Sequence, residues 1–96
     1  MDFLARFKKF ENDNLRFDQI QNPPSPYGDL CALLWIAKNV PSKKPYNILA
    51  AADHDIVYID CDLEALNEVA TDDDIKMLIC CGVGLNHGDD YLHMFV

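Results

Sequence analysis

Ninety-six residues carry a formal net charge of −8, with half of them hydrophobic and a quarter charged. That length supports a single domain, residues 1–96, with one core, and the composition is globular rather than disordered. The longest apolar run, Leu30 to Ala37, falls far short of the ~20 residues of a membrane span, and the N-terminus lacks the apolar region of a signal peptide, so a cytoplasmic location is expected, with no membrane partner.

Residues 1–20 read as an amphipathic N-terminal arm. Phe3, Leu4, Phe7 and Phe10 recur at helical spacing over residues 2–11, while Arg6, Lys8, Lys9 and Glu11 fall largely on other faces. Residues 15–20 fit either a continued helix or a short extended piece. The stretch 21–27 is a proline-rich break, because Pro23, Pro24 and Pro26 remove backbone donors and push their predecessors toward extended conformations. Ser25 followed by Pro26 suits a cap and first turn. The spacing predicts a helix from there to about Asn39, with Leu30, Leu33, Leu34 and Ala37 on one face. Cys31, Trp35 and Ile36 make the rest nearly as apolar, so this helix reads as the central, most buried one, ended by Pro41.

After the basic turn Ser42-Lys43-Lys44-Pro45, strands are expected at Tyr46–Ala52 and Ile56–Asp60, joined through Asp53-His54-Asp55. Asp62 is placed to cap a helix with Leu63, Leu66, Val69 and Ala70 inward. Thr71 is placed to cap the next, whose first turn holds Asp72, Asp73 and Asp74 against the positive end of the helix dipole. Ile75, Leu78 and Ile79 make its inner face, and Gly82 stops it. A second hairpin, Val83–His87 and Tyr91–Val96 around Gly88-Asp89-Asp90, closes the chain. The expected fold is α+β in the order α-α-β-β-α-α-β-β, a small antiparallel sheet of two β-hairpins with helices on one face.

Nucleophilic catalysis finds little support. Ser25, Ser42 and Thr71 are the only hydroxyl candidates of their kind, each at a loop or cap position, and no nucleophile–base pair is evident. The cysteines Cys31, Cys61, Cys80 and Cys81 lack paired zinc-site spacing and sit in apolar surroundings, as buried free thiols do. No phosphate-binding glycine motif occurs, so no cofactor is expected. A metal site would need His54, His87 and His93 to converge with the acids of the two hairpin turns, and Asp and Gly are common in turns for conformational reasons alone.

Charge is the strongest signal. Residues 1–44 hold seven Lys/Arg against five acids, a net of +2, whereas residues 45–96 hold Lys76 against eleven acids, a net of −10. Such a field repels nucleic acid and steers basic proteins inward. The candidate partner-binding residues are those eleven: Asp53, Asp55, Asp60, Asp62, Glu64, Glu68, Asp72, Asp73, Asp74, Asp89 and Asp90. The expectation is a non-enzymatic protein that binds and inhibits a basic, nucleic-acid-handling protein such as a nuclease, its carboxylates standing in for phosphates. In size and charge alone the chain is similar to small acidic inhibitors, among them bacterial immunity proteins, antitoxins and phage anti-defence proteins. The alternatives are a small metal-binding protein or metal-dependent enzyme built on the histidine-bearing turns, and a structural subunit that self-associates through its N-terminal helix.

Overall fold

The computed structural model describes residues 1–40 and 47–95. Among them are four α-helices, a short 3-10 turn and a four-stranded antiparallel sheet, the α+β fold expected from the sequence. The expected end of the second helix at Pro41, the basic turn 42–45, and the strand ends at Tyr46 and Val96 lie outside the described residues.

Helix α1 (Phe3–Phe10) starts where Asp2 Oδ1 accepts a hydrogen bond from the Ala5 amide at 2.9 Å. Phe3 and Phe7, one turn apart, are buried with ring centroids 6.0 Å from each other. Residues 17–19 form the 3-10 turn rather than a continued helix. Helix α2 (Gly28–Asn39) begins later than the serine–proline pair suggests. Ser25 Oγ instead accepts from the Tyr27 amide at 3.1 Å, closing a tight turn, and Tyr27 takes the cap position with no side-chain bond.

The buried face of α2 also differs from the expected one. Cys31, Ala32 and Ile36 are buried, whereas Leu30 and Leu34 are 43% and 47% exposed and Ala37 is exposed too. Every side of this helix is apolar, so periodicity gives little contrast, and close approach decides instead. Gly28, Cys31 and Ala32 share the small-residue face, and a Cβ at Gly28 would stand 3.1 Å from the Cys81 carbonyl oxygen. Bulky leucines cannot occupy that contact, so they face outward. Helix α2 is peripheral, not central.

Strands β1 (Leu49–Asp53) and β2 (Ile56–Ile59) form a hairpin through His54 and Asp55, with His54 at φ 53° and a bulge between Leu49 and Ala51. Helix α3 (Leu63–Val69) is capped by Asp62, whose Oδ1 accepts from the Glu64 and Ala65 amides at 3.0 and 3.4 Å. Leu66 and Ala70 take the buried stripe one turn apart, which leaves Val69 47% exposed rather than inward. Helix α4 (Asp72–Cys80) has a reciprocal cap between Thr71 and Asp74, buries Ile75 and Leu78, and ends at Gly82, φ 95°. Strand β3 is only Val83–Gly84, shorter than expected, because the polar run 86–90 turns away from the sheet. Strand β4 (Leu92–Phe95) completes it.

The strand order is β1-β2-β4-β3, so the two hairpins join through β2 and β4. Ile59 pairs with Leu92, and Val57 with Met94, on the face that packs on the helices, where Ile59, Leu92 and Met94 are buried. The alternate pairs, Tyr58 with His93 and Ile56 with Phe95, lie on the opposite face. Phe95 there is 69% exposed, and the His93 ring meets it edge-on at 5.6 Å.

Arg6 ties the helices together. Its Nη1 donates to the carbonyl oxygen and Oδ1 of Asn67, both at 2.8 Å, and its Nη2 to the Ala70 carbonyl at 2.7 Å and Asp72 Oδ1 at 3.2 Å. One guanidinium thus satisfies the C-terminal carbonyls of α3 and the first acid of α4.

Candidate functional site: an acidic cleft at the β2–α3 junction

The segment leaving β2 and entering α3 is Asp60-Cys61-Asp62-Leu63-Glu64, and it faces Asp90-Tyr91 at the entry to β4. Together these residues line a cleft of about 530 Å³. The register explains the meeting: Ile59 opposes Leu92, so the residues just beyond this pair, Asp60 and Tyr91, come to the same end of the sheet. Capping then fixes the far wall, because Asp62 can bind the first amides of α3 only from this junction. A shallower groove continues from it, sharing Glu64 and Asp90 and adding Asp2 and Asp89.

Four carboxylates line the cleft, and none of the described residues lining it is basic. Asp60 is the unusual one. It is 6% exposed, its amide donates to the Ile48 carbonyl at 2.7 Å, and its Oδ2 is buried with no hydrogen-bond partner among the described residues. Buried carboxylates are ordinarily paired or bonded, because an unmade bond carries the desolvation penalty. Between Asp60 and Asp62, the Cys61 thiol is pushed up to about 12 by burial, then by the charges of Asp62 and Asp60. It stays protonated at neutral pH and is neither a nucleophile nor a ready metal ligand.

The other expected residues lie elsewhere. Asp53 and Asp55 are exposed at the β1–β2 turn, beside the Phe95 end of β4 and so at the opposite end of the sheet. Asp72 is paired with Arg6, Asp74 completes the Thr71 cap, and Asp73 is exposed beside them. Glu68 is exposed on α3. The structure therefore gathers Asp60, Asp62, Glu64, Asp89 and Asp90 around the two openings, while Glu68 follows one turn after Glu64 on α3 and the other five line neither opening.

The histidines do not converge. His54 is exposed at one end of the sheet, His87 lies in the 85–91 connection at the other, and His93 is buried on β4 with its Nδ1 unpartnered among the described residues. Among the described residues no group of three or more His, Cys, Asp or Glu is disposed to hold a metal ion. The four thiols are unpaired; Cys31, Cys61 and Cys81 are buried, while Cys80 is only partly so. Sequence reasoning did not single out Asp2 or Tyr91, whose places depend on contacts far along the chain. No helix among the described residues is long and apolar enough to cross a membrane. None of the family models, curated proteins or solved structures compared with this chain matches it.

Proposed function

We propose that this protein is a non-enzymatic binding module that docks on, and inhibits, a basic protein of the nucleic-acid-handling kind, through the acidic end of its sheet. The observation that carries this reading is the cleft itself: four carboxylates around one opening, one of them buried with an oxygen that finds no partner among the described residues. A buried carboxylate that no described group neutralises leaves a negative field at the opening, which a cation seated in the cleft offsets. The −10 charge of residues 45–96 provides the long-range attraction that brings a basic surface to it. The protonated state of Cys61 also fits binding rather than chemistry at this cleft.

The test is a titration with a basic peptide of alternating Lys and Arg, read by calorimetry at low and moderate salt. Glu64→Lys with Asp90→Lys should weaken binding by about two orders of magnitude. The charge-matched pair Asp53→Lys with Asp55→Lys, at the other end of the sheet, should change it little. Equal losses from both pairs would mean that net charge alone attracts the peptide, and the docking reading would fail. Inhibition is tested separately, by adding the protein to the activity assay of a partner captured through the cleft.

A further inference from the structure

Resting on that reading, we infer that the cleft is an arginine pocket: one guanidinium of the partner seats against Asp60, with the Tyr91 ring alongside. Three observations separate a guanidinium from other cations. The first is spacing. Asp60, Asp62, Glu64 and Asp90 surround the opening, yet no three of the described His, Cys, Asp or Glu residues gather around one point as a metal ion requires. A guanidinium directs five N–H donors outward in one plane, so it reaches acceptors that stand apart.

The second is size. A cleft of about 530 Å³ is many times the ~30 Å³ share of one water molecule, so it admits a long side chain together with water. The third is desolvation. Asp60 is 6% exposed, so its partner must give up water on entering. Guanidinium is more weakly hydrated than ammonium, and it stacks on an aromatic face. Tyr91, 42% exposed, is the aromatic residue on the cleft wall. Asp62 contributes charge while its Oδ1 remains committed to the α3 amides.

The experiment uses the full chain and single-charge probes, which remove the effect of peptide polyvalency. Nα-acetyl-arginine amide, Nα-acetyl-lysine amide and calcium chloride are titrated separately while the backbone amide signals of residues 60–64 and 90–91 are followed by NMR. The arginine probe should shift those signals saturably and bind about tenfold more tightly than the lysine probe. Asp60→Asn, which keeps the side-chain shape, should remove that preference. Tyr91→Leu, at a ring that is 42% exposed, should reduce it about threefold.

Equal binding of the two amides would overturn the arginine pocket. The basic-partner reading would survive that result if the Lys/Arg peptide still depended on Glu64 and Asp90, and would fall with it if the peptide did not. Saturation of the same signals by calcium at lower concentration than arginine would overturn the inference in favour of a metal site.

Discussion

The carboxylates at the start of α4 and those of the β2–α3 cleft come from one acidic stretch of sequence, but the fold treats them differently. Thr71 and Asp74 exchange hydrogen bonds at 2.9 and 3.1 Å, and Asp72 meets Arg6 at 3.2 Å. Those acids are spent on holding a helix end and joining it to α1. Among the described residues only Asp62 in the cleft is committed in this way, while Asp60 is buried with Oδ2 unpartnered there. Acid content alone therefore does not mark a docking site. Acids whose bonding capacity the protein itself uses are structural, and the proposed docking site rests on acids at the opening that no described group neutralises.

The largest effect should come from the residue that makes the α4 acids structural. Arg6→Ala removes every donor that the Asn67 and Ala70 carbonyls and Asp72 receive from that guanidinium. It should cost about 3 kcal/mol of stability, mostly through carbonyls left unpaired, measured by urea denaturation. Affinity of the folded fraction for the Lys/Arg peptide should be unchanged. Arg6→Lys should recover only part of the loss, since one ammonium cannot serve all four acceptors.

Next comes the contrast between two charge reversals. Glu64→Lys with Asp90→Lys should cut peptide affinity about a hundredfold with little change in unfolding midpoint. Asp72→Lys with Asp73→Lys should do the reverse, because it places cations at the positive end of the α4 dipole and beside Arg6. A large affinity loss from the α4 pair would dissolve the distinction between the two groups.

Asp60→Asn sharpens the same point from within the cleft. A structural aspartate loses stability when neutralised; an unpartnered buried one gains it. Removing the charge should raise stability by about 1 kcal/mol while peptide binding weakens. Destabilisation on this substitution would mean that Asp60 serves the fold and not a partner.

The thiols give a pH-dependent version. Cys61 and Cys81 are both pushed from an ordinary value of 9.0 to about 12, chiefly by burial. The folded state thus holds these protons more tightly than the unfolded chain does. Their contribution is fully present below pH 9 and is lost as pH rises toward 12. The unfolding midpoint should fall steadily above pH 9, and the fall should be shallower in Asp60→Asn, because Asp60 is one of the charges raising Cys61. Cys80, only partly buried, should be alkylated first in the native protein.

Much of the fold was legible because local signals agreed. At α3 and α4 the capping Asp62 and Thr71 lie where the sequence puts them, and Phe3 and Phe7, Leu66 and Ala70, and Ile75 and Leu78 are buried as the spacing expects, with Val69 the exception. Helix α2 was misread because its apolar residues surround it, and the deciding contact, Gly28 against Cys81, joins residues far apart in the chain. The short β3 was hidden for a related reason, since Leu85 is buried without being in a strand. The candidate acids were visible by type. What no local pattern reveals is that register brings Asp90 to Asp60, or that a basic residue near the N-terminus reaches Asp72. Those are tertiary facts.

The smallest effect is also a strict control. Asp53 and Asp55 flank His54 at the tip of the first hairpin, exposed, beside the Phe95 end of β4. The cleft sits beyond the Leu92 end, so the length of the strand separates them, and at physiological salt exposed charges are screened over about 8 Å. Asp53→Asn with Asp55→Asn lowers the net negative charge by two, as does Glu64→Gln with Asp90→Asn. If the cleft is the docking site, the tip pair should change peptide affinity less than twofold, and the small change should vanish at higher salt. The cleft pair should retain a loss at that salt, because contacts made at short range around a buried acceptor are screened less. Titrations of the two variants at roughly 0.05 and 0.3 M salt measure this directly. Parallel curves for the two pairs at both concentrations would locate the attraction in the whole acidic half of the chain and not in the geometry around Asp60.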